Sequence, residues 1–180
     1  MLLVVDNGSI FTKNLIDFLE KIQISFEQMP PTTINLNSLS KFNSFILSGR
    51  RKNDKKTNEI NSKIIVHALE NNSKLLGICY GAEILALTLG GTIKKSISSQ
   101  KGNQIVSIIK ENSLSSNSID VFESHSFEIS KLPNSLISLA KSSNCQYEII
   151  QHENRLIFGT QFHPEMSKDG QEMIQKFCSL

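Results

Sequence analysis

The chain has 180 residues, 39% of them hydrophobic and 20% charged, which suits one core of ordinary domain size spanning 1–180 and lies outside the compositions that stay disordered. Nineteen basic residues against 17 acidic ones give a formal charge of +2, which argues against a dedicated nucleic-acid or membrane-surface binder. Cys79, Cys145 and Cys178 are widely spaced, so they indicate neither a disulfide framework nor a paired-thiolate zinc site, and they fit a reducing cytoplasm.

Leu2 to Val5, closed by Asp6-Asn7-Gly8, reads as a short strand buried on both faces, as in parallel sheets. It meets an acid after four apolar residues, unlike a secretory leader, and no apolar run approaches a membrane span. Ser9 is placed to cap a helix with apolar positions at Ile10, Leu15, Phe18, Leu19 and Ile22. Ile24 to Met29 resumes an extended pattern that Pro30-Pro31 ends. Phe45-Ile46-Leu47 is a further short strand, stopped by Ser48-Gly49. The loop Arg50 to Lys56 sets five basic residues against Asp54 and reads as solvated surface. A helix is predicted around Asn58 to Glu70, a strand over Leu75 to Ile78, and a helix from Gly81 to Leu89 that Gly90-Gly91 stops. Beyond it the segments Gln104 to Ile109, Ser118 to Phe122, Leu136 to Ala140, Tyr147 to Ile150 and Leu156 to Thr160 are short and β-like, and Asp169 to Phe177 reads as a terminal helix. The expectation is an α/β domain: a mostly parallel central sheet flanked by helices, with a mixed or antiparallel extension.

The sharpest local signal is Gly77-Ile78-Cys79-Tyr80-Gly81, where a strand runs into Gly-x-Cys-x-Gly and then into a helix. Glycines on either side allow a tight elbow that presents the side chain between them at the carboxyl edge of the sheet. A helix N-terminus there favours the thiolate, the reactive form of cysteine. A small buried cysteine at a strand end is the plainer reading of the same residue. A thiol nucleophile needs a base and the base needs an orienter, and Gly159-Thr160-Gln161-Phe162-His163-Pro164-Glu165 offers both. Pro164 disfavours the α region at His163, so an extended segment is expected, with His163 and Glu165 projecting to one side. On its own, His-Pro-Glu is more often a surface turn than a dyad. His67 and His152 read as ordinary side chains, and His125 as either a pocket or a turn residue. No ligand cluster has zinc-like spacing, so no metal and no cofactor are expected.

Together these two segments resemble the class I glutamine amidotransferases, over nearly the whole chain. Val4-Val5-Asp6-Asn7-Gly8, Glu123-Ser124-His125-Ser126 and Ser142-Ser143-Asn144-Cys145-Gln146 look most like the separate glutaminase subunit of two-subunit GMP synthases. The resemblance implies a flavodoxin-like sheet and a triad of Cys79, His163 and Glu165 that hydrolyses glutamine through a γ-glutamyl thioester. It implies oxyanion donors at the N–H groups of Tyr80 and Arg50, and substrate contacts at Gly49, Glu83, Ser124, His125 and Ser126. The family usually has Gly-Gly-Pro after the serine, where this chain has Gly49-Arg50-Arg51, and a glutamine where this chain has Glu83. Ala82 replaces a frequent histidine, and Phe127 a common acid. A non-glycine at Arg50 is expected to resist an unusual backbone conformation. No phosphate-binding stretch occurs, so ATP chemistry needs a second chain, an ATP-pyrophosphatase-type synthetase aminating XMP to GMP. A free-standing amidase or γ-glutamyl hydrolase, and a non-catalytic regulatory subunit, are the competing expectations.

Overall fold

The computed structural model describes residues 1–180. Strands β1 (Leu2–Val5), β2 (Phe26–Met29), β3 (Ser44–Leu47), β4 (Lys74–Ile78), β5 (Thr92–Ile108), β6 (Ile119–Lys131), β7 (Leu136–Lys141), β8 (Ile149–His152) and β9 (Ile157–Thr160) form one nine-stranded sheet. Its order is β2-β1-β3-β4-β9-β8-β7-β5-β6. Strands β2, β1, β3, β4 and β9 run parallel, and pairing from β9 through β8, β7 and β5 to β6 is antiparallel. The expected parallel sheet with an antiparallel extension is therefore what forms.

Helices α1 (Thr12–Lys21), α2 (Lys55–Glu70), α3 (Tyr80–Thr88) and α4 (Lys168–Ser179) cover both faces. Successive residues of a strand point to opposite sides, so β1 divides its apolar side chains between two cores. Leu2 and Val4 join Leu15, Phe18 and Leu19 of α1 and Met173, Ile174 and Phe177 of α4. Leu3 and Val5 join Ile64, Ile65 and Ala68 of α2 and Leu85 of α3 on the other side.

Several local expectations are corrected. Ser9 does not cap α1: the N-cap position is Phe11, and Ser9 Oγ accepts from Phe11 N at 3.1 Å in the turn before the helix. Helix α2 begins at Lys55 rather than Asn58, because Asp54 Oδ2 accepts from Thr57 N at 2.7 Å and caps it there. Strand β5 begins at Thr92 and not near Gln104; its polar first half is held by backbone pairing with β6.

Candidate active site

Strands β4 and β9 are neighbours, with Ile78 paired to Thr160, so the segments carrying Cys79 and His163 leave the sheet side by side at its carboxyl edge. This is the crevice in which open α/β sheets bind ligands. Cys79 N donates to Thr160 O at 2.7 Å, tying the two strand ends together. Cys79 adopts φ 50° and ψ −103°, a strained conformation for a residue with a side chain. The elbow is tight enough that a Cβ on Gly77 would collide with the Gly81 carbonyl group.

His163 has φ −99° and ψ 92°, extended as expected, but Pro164–Met166 is a turn of 3-10 helix. Glu165 therefore reaches the imidazole by the backbone curling under it, not by alternation along an extended strand. Its Oε1 lies 2.8 Å from His163 Nδ1, and the two side chains are 1% and 3% exposed. Two further contacts fix the ring and its backbone: His163 N donates to Phe122 O of β6 at 2.9 Å, and the Phe11 ring centroid lies 4.5 Å from that of the imidazole. Gly49 leaves the ring its room, since a Cβ there would stand 2.9 Å from Cε1. No hydrogen bond joins Cys79 Sγ to His163, whose side-chain hydrogen bond is to Glu165.

The thiol resists ionisation more than the sequence suggests. Burial raises its pKa well above the usual 9.0, and Glu83, Glu165 and Glu123 push the same way. The Tyr80 N–H at the start of α3 opposes them and is outweighed. A helix-terminal thiolate is therefore disfavoured here: desolvation and three carboxylates outweigh one backbone dipole and favour the neutral thiol.

A cleft of about 370 Å³ opens above Cys79. Tyr80 and Glu83 of α3, Arg50, Arg51 and Asn53 of the loop after β3, and Ser99, Ser124, His125, Ser126 and Phe127 of β5 and β6 line it. Gly49 lies beside His163 at the end of β3, where Asn7 N and Nδ2 donate to Ser48 Oγ and O, each at 2.9 Å. Arg50 has no positive φ, so the expected backbone strain is absent. Its side chain holds the loop instead: the guanidinium lies 3.9 Å over the Tyr80 ring and donates to Asn53 Oδ1 at 2.9 Å and Asn58 Oδ1 at 2.6 Å. Arg50 also forms an isolated antiparallel bridge with Gly8.

Glu83 is buried, and burial raises its pKa against the opposing pulls of Gln161, Arg50 and His125. Gln161 Nε2 donates to Glu83 Oε1 at 3.4 Å, a contact that sequence reasoning missed although Gln161 lies within the quoted motif. Phe11 was missed as well, since nothing in a helix start marks it as the cover of an imidazole. The His125 side chain is 1% exposed and engaged on both edges, with Nδ1 2.9 Å from Phe127 O and Nε2 3.0 Å from Glu123 Oε2. The second contact is too skewed for a hydrogen bond and counts as an ion contact alone.

Comparison with known proteins agrees with this architecture. The family model Glutamine amidotransferase class-I matches residues 3–179. The glutamine-hydrolysing subunit of the GMP synthase from Methanocaldococcus jannaschii is 31% identical over 187 aligned positions, covering 100% of this chain and 97% of that protein. The glutamine-hydrolysing GMP synthase of Wolbachia pipientis is 28% identical; 98% of this chain matches 36% of that longer protein. A crystal structure described as the corresponding GMP synthase subunit from Thermoplasma acidophilum superposes with a TM-score of 0.88 at 28% identity, covering 99% of this chain and 92% of that one. A strained cysteine elbow beside a buried His-Glu pair, on this sheet and across this length, places the chain in the class I glutamine amidotransferase family.

Proposed function

We propose that the protein hydrolyses the side-chain amide of glutamine and passes the ammonia to a separate synthetase subunit that aminates XMP to GMP. The observation that carries this reading is the buried 2.8 Å pair of His163 Nδ1 and Glu165 Oε1 at the end of β9, alongside the Cys79 elbow at the end of β4. Glu165 holds the ring so that Nε2 is the basic nitrogen. His163 takes the thiol proton as Cys79 Sγ attacks the amide carbon, and the tetrahedral oxyanion meets the N–H groups of Tyr80 and Arg50. The carbon–nitrogen bond breaks as His163 returns the proton to nitrogen, releasing ammonia and leaving the γ-glutamyl thioester. Water then gives a proton to His163 and attacks the thioester; glutamate departs and the proton returns to sulfur.

Glu83, Ser124, His125 and Ser126 of the cleft receive the amino-acid end of the substrate, Glu83 meeting the α-ammonium group, while Gly49 stands outside the cleft lining, against His163. In this reading the synthetase is a separate subunit, in keeping with the Methanocaldococcus relative, which is itself described as one subunit of a GMP synthase. No helix is long and apolar enough to cross a membrane, and the three free cysteines suit a reducing cytoplasm.

Glutamate release from glutamine, measured for the chain alone and with the ATP-pyrophosphatase partner of a GMP synthase, tests the reading; no release in either case rejects it. Glu83 and Arg51 in the cleft favour a second reading, hydrolysis of another amide or γ-glutamyl compound by the chain alone. A substrate panel separates the two, because the first requires glutamine to be preferred.

A further inference from the structure

Behind the Ser124–Ser126 wall lies a buried ionisable cluster that the reaction above leaves unused. Glu123 and His125 come from β6 and Glu148 from the residue before β8, and all three are buried. His125 Nδ1 faces the Phe127 carbonyl, which only accepts, so Nδ1 carries hydrogen. Nε2 stands 3.0 Å from a Glu123 carboxylate oxygen, off the line of a hydrogen bond but close enough for the carboxylate charge to favour a second proton on the ring. A hydrogen fixed on Nδ1 and a carboxylate beside Nε2 together favour the imidazolium.

The Glu123 carboxyl also faces that of Glu148, and two buried carboxylates in contact cannot both stay ionised. With one proton on Glu148, its O–H donates to Glu123, which in turn faces the cationic ring. This one assignment gives a donor or an opposite charge to atoms that otherwise have no partner: both Glu123 oxygens, Glu148 Oε2 and His125 Nε2. The remaining charges agree with it. Glu128 of β6, which also bears on Glu148, is matched by Lys94 of β5 at 3.0 Å. Cys145, between β7 and β8, is held as a neutral thiol by burial and the neighbouring glutamates. Glu83 of α3 faces His125 from the cleft.

We propose that Glu148, Glu123 and His125 form a positioning unit that sets a buried positive charge behind the Ser124–Ser126 wall, where the α-carboxylate of glutamine seats. The unit answers a problem posed by the cleft itself: Glu83 repels that carboxylate, and a charge on His125, which lines the same cleft, offsets it. Burial works against the charge on His125, but the Glu123 contact and the Phe127 carbonyl outweigh it and raise its pKa. Burial and the Glu123 charge push Glu148 up to about 9, which keeps its proton in place at neutral pH. The substrate half of this inference rests on the glutaminase reading; the charge on His125 does not.

The test follows the four histidine rings of the intact chain by NMR across pH, alongside the rate at which 6-diazo-5-oxo-L-norleucine, a reactive glutamine analogue, labels Cys79. His125 is expected to titrate above the ordinary histidine range. Glu123→Gln lowers that titration and raises the half-saturating analogue concentration roughly ten-fold, the equivalent of ~1.4 kcal/mol, with less effect on the maximal labelling rate. Glu148→Leu shows the same pattern, and Glu148→Gln, which keeps a donor toward Glu123, restores most of what is lost. A neutral His125 at pH 7, or a Glu123→Gln protein unchanged in both readouts, overturns the proposal. A charged His125 with the expected labelling pattern in a chain that hydrolyses no glutamine would instead remove the glutaminase reading and leave the positioning unit standing.

Discussion

Gly49→Ala tests whether His163 sits where the chemistry needs it. The added Cβ would stand 2.9 Å from His163 Cε1, whereas ordinary contact begins near 3.4 Å, so the ring must retreat by roughly half an ångström. It has little room to do so. Nδ1 is bonded to Glu165 at 2.8 Å, the Phe11 ring lies at 4.5 Å, and the His163 backbone N–H is fixed to Phe122 O at 2.9 Å. A misplacement of about 1 Å near a reacting centre costs on the order of 100-fold, so kcat for glutamine should fall between roughly ten-fold and 100-fold. Gly49 has no positive φ, so alanine meets no backbone penalty and its smaller unfolded-state entropy offsets part of the crowding. Steady-state glutamate release, in whichever assembly supports wild-type turnover, and a thermal melt give the two readings. Full activity in a folded Gly49→Ala protein would refute the placement of His163 as the working base.

Cys79→Gly should abolish hydrolysis yet raise stability by ~1 kcal/mol, because glycine relieves the strain at φ 50° and ψ −103° while giving back part of that gain in unfolded-chain entropy. Cys79→Ala keeps the strain, so equal melting temperatures for the two variants in calorimetry would count against it. Glu148 predicts a pH slope: its carboxyl rises from 4.5 to about 9 on folding, so the native state holds a proton that the unfolded chain releases. That contribution is complete below about pH 4.5 and is lost as the pH climbs to about 9, so Glu148→Gln should flatten the decline seen in urea denaturation at pH 5, 7 and 9. Parallel slopes for the two proteins would place the proton elsewhere.

How much of this was readable beforehand depended on what held each element. Strands β1, β3 and β4 announce themselves because both faces are buried, so their residues are almost all apolar. The first half of β5 does not: Lys94, Lys95, Ser98 and Ser99 are exposed, and pairing with β6 leaves no mark in composition. Cys79 was legible because its elbow is written in glycines, a backbone demand that residue type must meet. The reach of Glu165 was read correctly in outcome and wrongly in geometry, since a proline after His163 permits a 3-10 turn as readily as a strand. The link from His125 to Glu148 was hidden, for it joins residues of β6 to the residue before β8, and no spacing along the chain encodes that.

The position of β9 has a consequence for the chain as it is being made. The strand is among the last to be synthesised, yet it lies in the middle of the sheet between β4 and β8. Until it inserts, the Cys79 elbow has neither the Thr160 carbonyl nor the imidazole beside it. On the proposed mechanism, hydrolytic competence therefore arrives with the closing of the sheet, and a fragment cut off or stalled before that strand would consume no amide donor.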